Sequence, residues 1–108
     1  MNLQEQIIAD INGNPIILFM KGTKEMPMCG FSNAVVQVLN FYGVGYKDIN
    51  ILVDPEIRVQ LSDFSKWPTI PQLFVNGELV GGADIVMELH EKGEMLAILE
   101  RAVNGDPV

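Results

Sequence analysis

Cys29 is the one cysteine in this 108-residue chain, and it stands where a loop meets an expected helix start. Unpaired backbone N–H groups and the helix dipole stabilise a thiolate there, bringing thiol pKa values down to roughly 3.5–7.5. Lys21, at the end of an expected strand, places a positive charge near that position. Free cysteine is also a common small core residue, so position alone leaves both an activated thiol and a packing role open. A single cysteine excludes an intrachain disulfide and any zinc site made of this chain's cysteines alone. It fits a reducing compartment better than a secreted setting.

The other candidates are weaker. His90 lies among Glu88, Glu91 and Lys92, where nothing nearby makes a metal set with it, and reads as a solvated helix residue. Met26 and Met28 flank Pro27 just ahead of Cys29; they form either an apolar rim to the thiol or adaptable packing. No phosphate-binding loop and no Ser-His-Asp pattern is present. Seven basic against fourteen acidic side chains give a net charge of −7, the opposite of the basic stripe expected of a nucleic-acid binder.

The elements that must position Cys29 follow from hydrophobic periodicity. Apolar residues make up 48% of the chain, enough to fill one core without disulfides or a structural metal, and the length suits a single domain over residues 1–108. Ile7, Ile8 and Ile11 form a helical stripe ended by Asn12-Gly13-Asn14-Pro15. Pro15 to Met20 is an unbroken apolar run of strand length, the pattern of a strand buried on both faces. After a loop from Lys21 to Met28, Ala34, Val35, Val38, Leu39 and Tyr42 recur with helical spacing until Gly43. Tyr46 to Ile49 is a short strand. Asp54 caps a helix with Pro55 at its first position and Ile57, Leu61 and Phe64 on one face.

Trp67-Pro68-Thr69-Ile70-Pro71 is rigid and non-helical. Gln72–Val75, Asn76-Gly77 and Glu78–Val80 read as strand, type I′ turn and strand. Gly81-Gly82 leads into a helical stretch from Ala83 to about Ala102, broken near Gly93. The order α-β-α-β-α-β-β-α predicts an α/β fold with a mixed four-stranded sheet, βαβ followed by ββα, and helices on both faces. The longest apolar runs, about five residues, are too short for a membrane span.

Four segments now become specific together. Lys21-Gly22-Thr23, Cys29-Gly30-Phe31-Ser32, Trp67-Pro68-Thr69-Ile70-Pro71 and Gly81-Gly82-Ala83-Asp84 resemble, in order and spacing, the signature segments of monothiol glutaredoxins. The resemblance runs from about residue 3 to residue 103 and implies a thioredoxin fold. It also implies that Cys29 is the reactive thiol, and that Ser32 stands where dithiol relatives carry a resolving cysteine. Ser32 cannot resolve a mixed disulfide, which removes intramolecular thiol–disulfide exchange; it also suits a helix start. Gly30 lets the backbone pass close to a ligand, and Phe31 is expected to pack.

Glutathione carries two carboxylates and one ammonium, so its site needs cations, N–H donors and an acceptor. The resemblance assigns Lys21 and Arg58 to the glycyl carboxylate; the plainer alternative for Arg58 is an exposed helical arginine. It implies a cis Ile70-Pro71 bond, with the Ile70 backbone free to pair with the extended tripeptide. Gly82, Ala83 and Asp84 would offer N–H groups to the γ-glutamyl carboxylate, with the Asp84 side chain near the ammonium; Asp84 is also an ordinary helix-start residue. Thr69 adds a hydroxyl or merely suits the turn, and Trp67 supports the loop. Many relatives carry a second cysteine where this chain has Ala83, so chemistry needing that cysteine is absent.

A [2Fe–2S] cluster usually takes four thiolates. One chain supplies one, and two chains with two glutathiones complete the set. The resemblance implies such a cluster-bridged homodimer, passing its cluster to apo iron–sulfur proteins or pairing with a BolA-like protein. The competing expectation is an enzyme, a glutathione-dependent thiol–disulfide oxidoreductase working through a Cys29–glutathione disulfide. The loop from Thr23 to Met28 resembles the insertion of cluster-binding members and favours the carrier. The N-terminal residues lack the features of a signal or transit peptide. The expected location is the bacterial cytoplasm or, for a processed precursor, the mitochondrial matrix.

Overall fold

The first helix starts at a capping box. The Asn2 side chain accepts the Glu5 N–H (2.8 Å) while the Glu5 carboxylate accepts the Asn2 N–H (3.3 Å), and α1 runs over Leu3–Gly13. The computed structural model describes residues 1–103. Strand β1 (Ile16–Met20) is buried at every position, as its unbroken apolar run requires. Helix α2 (Gly30–Tyr42) ends at Gly43, whose φ of 68° allows its N–H to reach back to the Leu39 and Asn40 carbonyls. Strand β2 spans Lys47–Asn50, one residue later than its apolar pattern suggests. A 3-10 turn, Ile51–Val53, follows and had no signal in the periodicity.

Helix α3 (Pro55–Ser65) carries the expected Asp54 cap, whose carboxylate accepts the Glu56 N–H at 3.0 Å. Of its expected apolar face, Leu61 is buried, whereas Phe64 is 37% exposed at the helix's last turn and contributes little to the core. Strands β3 (Gln72–Val75) and β4 (Glu78–Gly81) are joined by Asn76 and Gly77, both at positive φ as a type I′ turn demands. Helices α4 (Ala83–Glu91) and α5 (Met95–Val103) meet at the expected break, with Gly93 at φ 73°.

The sheet order is β2-β1-β3-β4, with β1 parallel to β2 and antiparallel to β3, and β3 antiparallel to β4. Alternation along β1 divides the core in two. Ile16, Leu18 and Met20 face α2, α4 and α5 through Val35, Leu39, Val86, Met95 and Leu99. Ile17 and Phe19 face α1 and α3 through Ile7, Ile11 and Leu61, with Phe74 packed edge-on to Phe19. This is the thioredoxin-type sheet expected from the sequence. Its consequence is positional: the C-terminal end of β1, the start of α2, the turn before β3 and the start of α4 converge at one edge. Among the described residues no helix is long and apolar enough to cross a membrane.

Candidate functional site

Cys29 is the N-cap residue of α2, in extended conformation and partly exposed. Its thiol pKa is lowered, first by the backbone N–H of Ser32. Partial burial opposes this, while the Phe31 N–H, the Lys21 charge and the Ser32 hydroxyl push the same way as the Ser32 N–H. Between the two roles open to Cys29, the partial exposure and the lowered pKa favour a thiol whose charged form is supported by the helix start. Ser32 is fully buried, and its hydroxyl also accepts the Lys21 N–H at 3.1 Å. One side chain therefore ties the thiol's helix to the end of β1.

The approach to Cys29 is a small hairpin. Thr23 and Met26 exchange backbone hydrogen bonds (3.1 and 3.0 Å), and the Met28 N–H reaches the Lys21 carbonyl at 2.9 Å. Gly22 sits at φ 89°, and a side chain there would run into the Met26 carbonyl and Met28. Met26 and Met28 are 69% and 63% exposed. They form an apolar rim beside the thiol rather than packing beneath it.

A pocket of about 330 Å³ opens at this edge of the sheet; Lys21 and Phe31 line it, while Cys29 itself is not among its lining residues. All eight residues expected to hold the ligand line it: Lys21, Arg58, Thr69, Ile70, Pro71, Gly82, Ala83 and Asp84. The Ile70–Pro71 bond is cis, as expected. Gly82 is the N-cap of α4, so the N–H groups of that helix's first turn open toward the pocket with nothing on their own helix to satisfy them. A Cβ at Gly82 would come within 3.2 Å of the Pro71 carbonyl and 3.4 Å of Trp67 Nε1, so glycine keeps this wall close to the turn. Arg58 is exposed, and its guanidinium donates a long hydrogen bond (3.4 Å) to the Pro68 carbonyl, one of its five N–H donors.

Three further residues line the pocket: Phe31, Trp67 and Ile85. Phe31 is 64% exposed rather than packed, because it stands in the first turn of α2, beyond the edge of the sheet. Trp67 forms part of the wall itself. Ile85 carries the helix-start pattern one residue past Asp84. Gln72 is the residue that the sequence hid best. Its side chain is fully buried, and its Nε2 donates to the Trp67 and Thr69 carbonyls at 2.9 and 3.1 Å, bracing the turn that carries Thr69, Ile70 and Pro71.

His90 is not simply solvated. Its Nδ1 lies 2.7 Å from the Tyr42 hydroxyl, and its ring packs edge-on to Phe41 and Tyr42. A larger hollow of about 440 Å³ lies at the other end of β1, among Pro15, Ile16, Tyr46 and Ala102, away from the thiol.

A single partly exposed cysteine at the start of α2, on a thioredoxin-type sheet with a cis-proline turn before β3, is the arrangement of the glutaredoxin class. The glutaredoxin family model matches residues 16–80. A probable monothiol glutaredoxin 2 of Rickettsia typhi is 58% identical over 90 residues, covering 83% of this chain and 81% of the relative. The chain therefore belongs to the glutaredoxin family, in its monothiol branch. The solution structure of reduced poplar apo GrxS14 superposes with a TM-score of 0.82 at 40% identity, covering 94% of this chain and 93% of that one. The crystal structure of a buckwheat glutaredoxin–glutathione complex gives a TM-score of 0.82 at 25% identity, covering 98% and 93%.

Proposed function

We propose that this chain binds glutathione in the pocket beside Cys29, and that two copies and two glutathiones together hold a [2Fe–2S] cluster destined for apo-proteins. The observation that carries the reading is the gathering of eight expected ligand-binding residues around one pocket next to a single activated thiol. Lys21 and Arg58 supply positive charge for the glycyl carboxylate. The start of α4 supplies N–H donors for the γ-glutamyl carboxylate, with Asp84 for the ammonium. The cis turn at Ile70 and Pro71 offers backbone to the middle of the tripeptide.

The residues present fit the cluster by number and type. The chain carries one cysteine, so a four-thiolate set takes Cys29 with thiols from outside the chain, here its counterpart on a second copy and two glutathiones. When bound, the cluster is cargo for iron–sulfur proteins. Cys29 holds it, the pocket orients the glutathione that completes its ligands, and the exposed Met26, Met28 and Phe31 offer an apolar face to a second copy or to a BolA-like partner. The proposed setting is a reducing compartment, bacterial cytoplasm or mitochondrial matrix, where a lone thiol stays free.

The thiolate-favouring environment of Cys29 supports a second reading, an oxidoreductase. In that reaction the Cys29 thiolate attacks the glutathione sulfur of a protein–glutathione disulfide. The protein thiolate leaves, and a second glutathione thiolate then cleaves the Cys29–glutathione bond, releasing oxidised glutathione. Two measurements separate the readings. Anaerobic addition of iron and sulfide should give visible colour only when glutathione is present, and equal colour without it contradicts the carrier. Fast glutathione-dependent turnover of a glutathionylated peptide, with no coloured product on reconstitution, would establish the enzyme instead.

A further inference from the structure

The loop that delivers Lys21 to the pocket is held from outside the site. Asp48 and Asn50 lie two residues apart in β2 and so share one face, and Tyr46 stands just before the strand. Each grips the loop. Asn50 Oδ1 accepts the Gly22 N–H at 2.9 Å, Asp48 Oδ2 accepts the Lys24 N–H at 2.9 Å, and the Tyr46 carbonyl accepts from Lys24 Nζ at 2.6 Å. The Lys24 ammonium also stands 4.4 Å from the centre of the Tyr46 ring. Asn50 does more than the others, because the same Oδ1 accepts the Leu52 N–H at 3.0 Å. Leu52 belongs to the 3-10 turn that leads into α3, the helix carrying Arg58. One amide oxygen thus joins the residue after Lys21 to the approach of Arg58, although Asn50 itself does not line the pocket.

We propose that Asn50 is a positioning residue for the carboxylate end of the pocket, acting through Lys21, with Asp48 as a second grip on the same loop. This rests on the reading that Lys21 and Arg58 receive the glycyl carboxylate of glutathione. It assigns a role in ligand selection to a residue outside the pocket. Breaking the Asn50 bonds frees the loop backbone beside Lys21, so the cost falls on the ligand group that Lys21 meets.

The test is glutathione affinity of the full-length chain, measured by calorimetry beside thermal unfolding, for wild type, Asn50→Leu, Lys21→Ala and the double variant. Asn50→Leu should weaken glutathione about threefold to tenfold, the effect of one or two net hydrogen bonds. The same substitution in the Lys21→Ala background should change affinity by less than about twofold, since coupled residues are not additive. Glutathione ethyl ester, whose glycyl carboxylate is masked, should show little difference between wild type and Asn50→Leu. An unchanged glutathione affinity in folded Asn50→Leu overturns the proposal. So does a loss that is equally large for the ester, or one that persists in full without Lys21.

Should Asn50→Leu fail to fold, Asp48→Ala and Asp48→Asn take its place. Asn keeps an acceptor for the Lys24 N–H, so Asp48→Asn should bind as wild type does while Asp48→Ala binds about twofold more weakly; equal affinities overturn the proposal. Wild type that does not bind glutathione at all overturns the underlying reading and the proposal with it. Wild type that binds, beside an unaffected Asn50→Leu, overturns the proposal alone.

Discussion

At Cys29 the backbone does more for the thiolate than any side chain: the Ser32 N–H leads, and the Lys21 charge and the Ser32 hydroxyl follow. That order makes a prediction about alkylation of the thiol across pH. Lys21→Ala should move the midpoint upward, and Ser32→Ala should move it upward by less, because the Ser32 N–H survives the substitution. A larger shift for Ser32→Ala would show that the hydroxyl, not the helix start, sets the thiol's acidity. Stability follows with a definite sign. The folded thiol binds its proton more weakly than the unfolded one, so its stabilising increment is complete above the ordinary thiol pKa of about 8.5. The increment fades as pH falls through the lower folded value. Replacing Cys29 by Ser should remove this pH-dependent increment from urea-unfolding curves on the alkaline side.

Two elements hold the site by interactions whose loss is measurable. The hairpin before Cys29 depends on Gly22 at φ 89°. Gly22→Ala should cost about 1–3 kcal/mol for the positive φ alone, with a further loss from its collision with Met26 and Met28, seen as a lower urea midpoint. The turn before β3 depends on Gln72. Gln72→Leu removes the donor to the Trp67 and Thr69 carbonyls and should cost about 1–3 kcal/mol, the net worth of two hydrogen bonds, with glutathione affinity falling alongside stability. These are also the elements where sequence reasoning ran short. Strands β1 and β3, the Asn76-Gly77 turn, the Asp54 cap and the break at Gly93 are local signals, and each appears where its residues place it. The 3-10 turn at Ile51–Val53 is too short for periodicity, and its start depends on the Asn50 side chain accepting the Leu52 N–H. Gln72 reads as the first residue of an apolar strand, and its bracing role appears only once the turn has folded back over it.

Across the whole molecule, the two half-cores on either side of β1 are what bring distant segments to one edge. Phe19, fully buried between α1 and α3, illustrates the scale: Phe19→Ala should cost about 3–5 kcal/mol in urea unfolding. A loss near zero would mean that this half-core is not packed as described. Apart from Arg58, which lies within α3, the candidate site was legible because its residues fall in four short segments at element ends, where an α/β sheet gathers its loops. The exposure of Phe31 and Phe64 was not legible, since large apolar residues are ordinarily assigned to a core. Nor was the grip of Asp48 and Asn50 on the loop, which joins residues 24 and 28 apart in sequence. Cys29 is one of two protein ligands in the proposed site that glutathione completes. Native mass measurement after anaerobic reconstitution with iron, sulfide and glutathione should show a species of two chains, one [2Fe–2S] cluster and two glutathiones, lost in Cys29→Ser. A colourless monomer from wild type, or a coloured dimer from Cys29→Ser, would rule that role out.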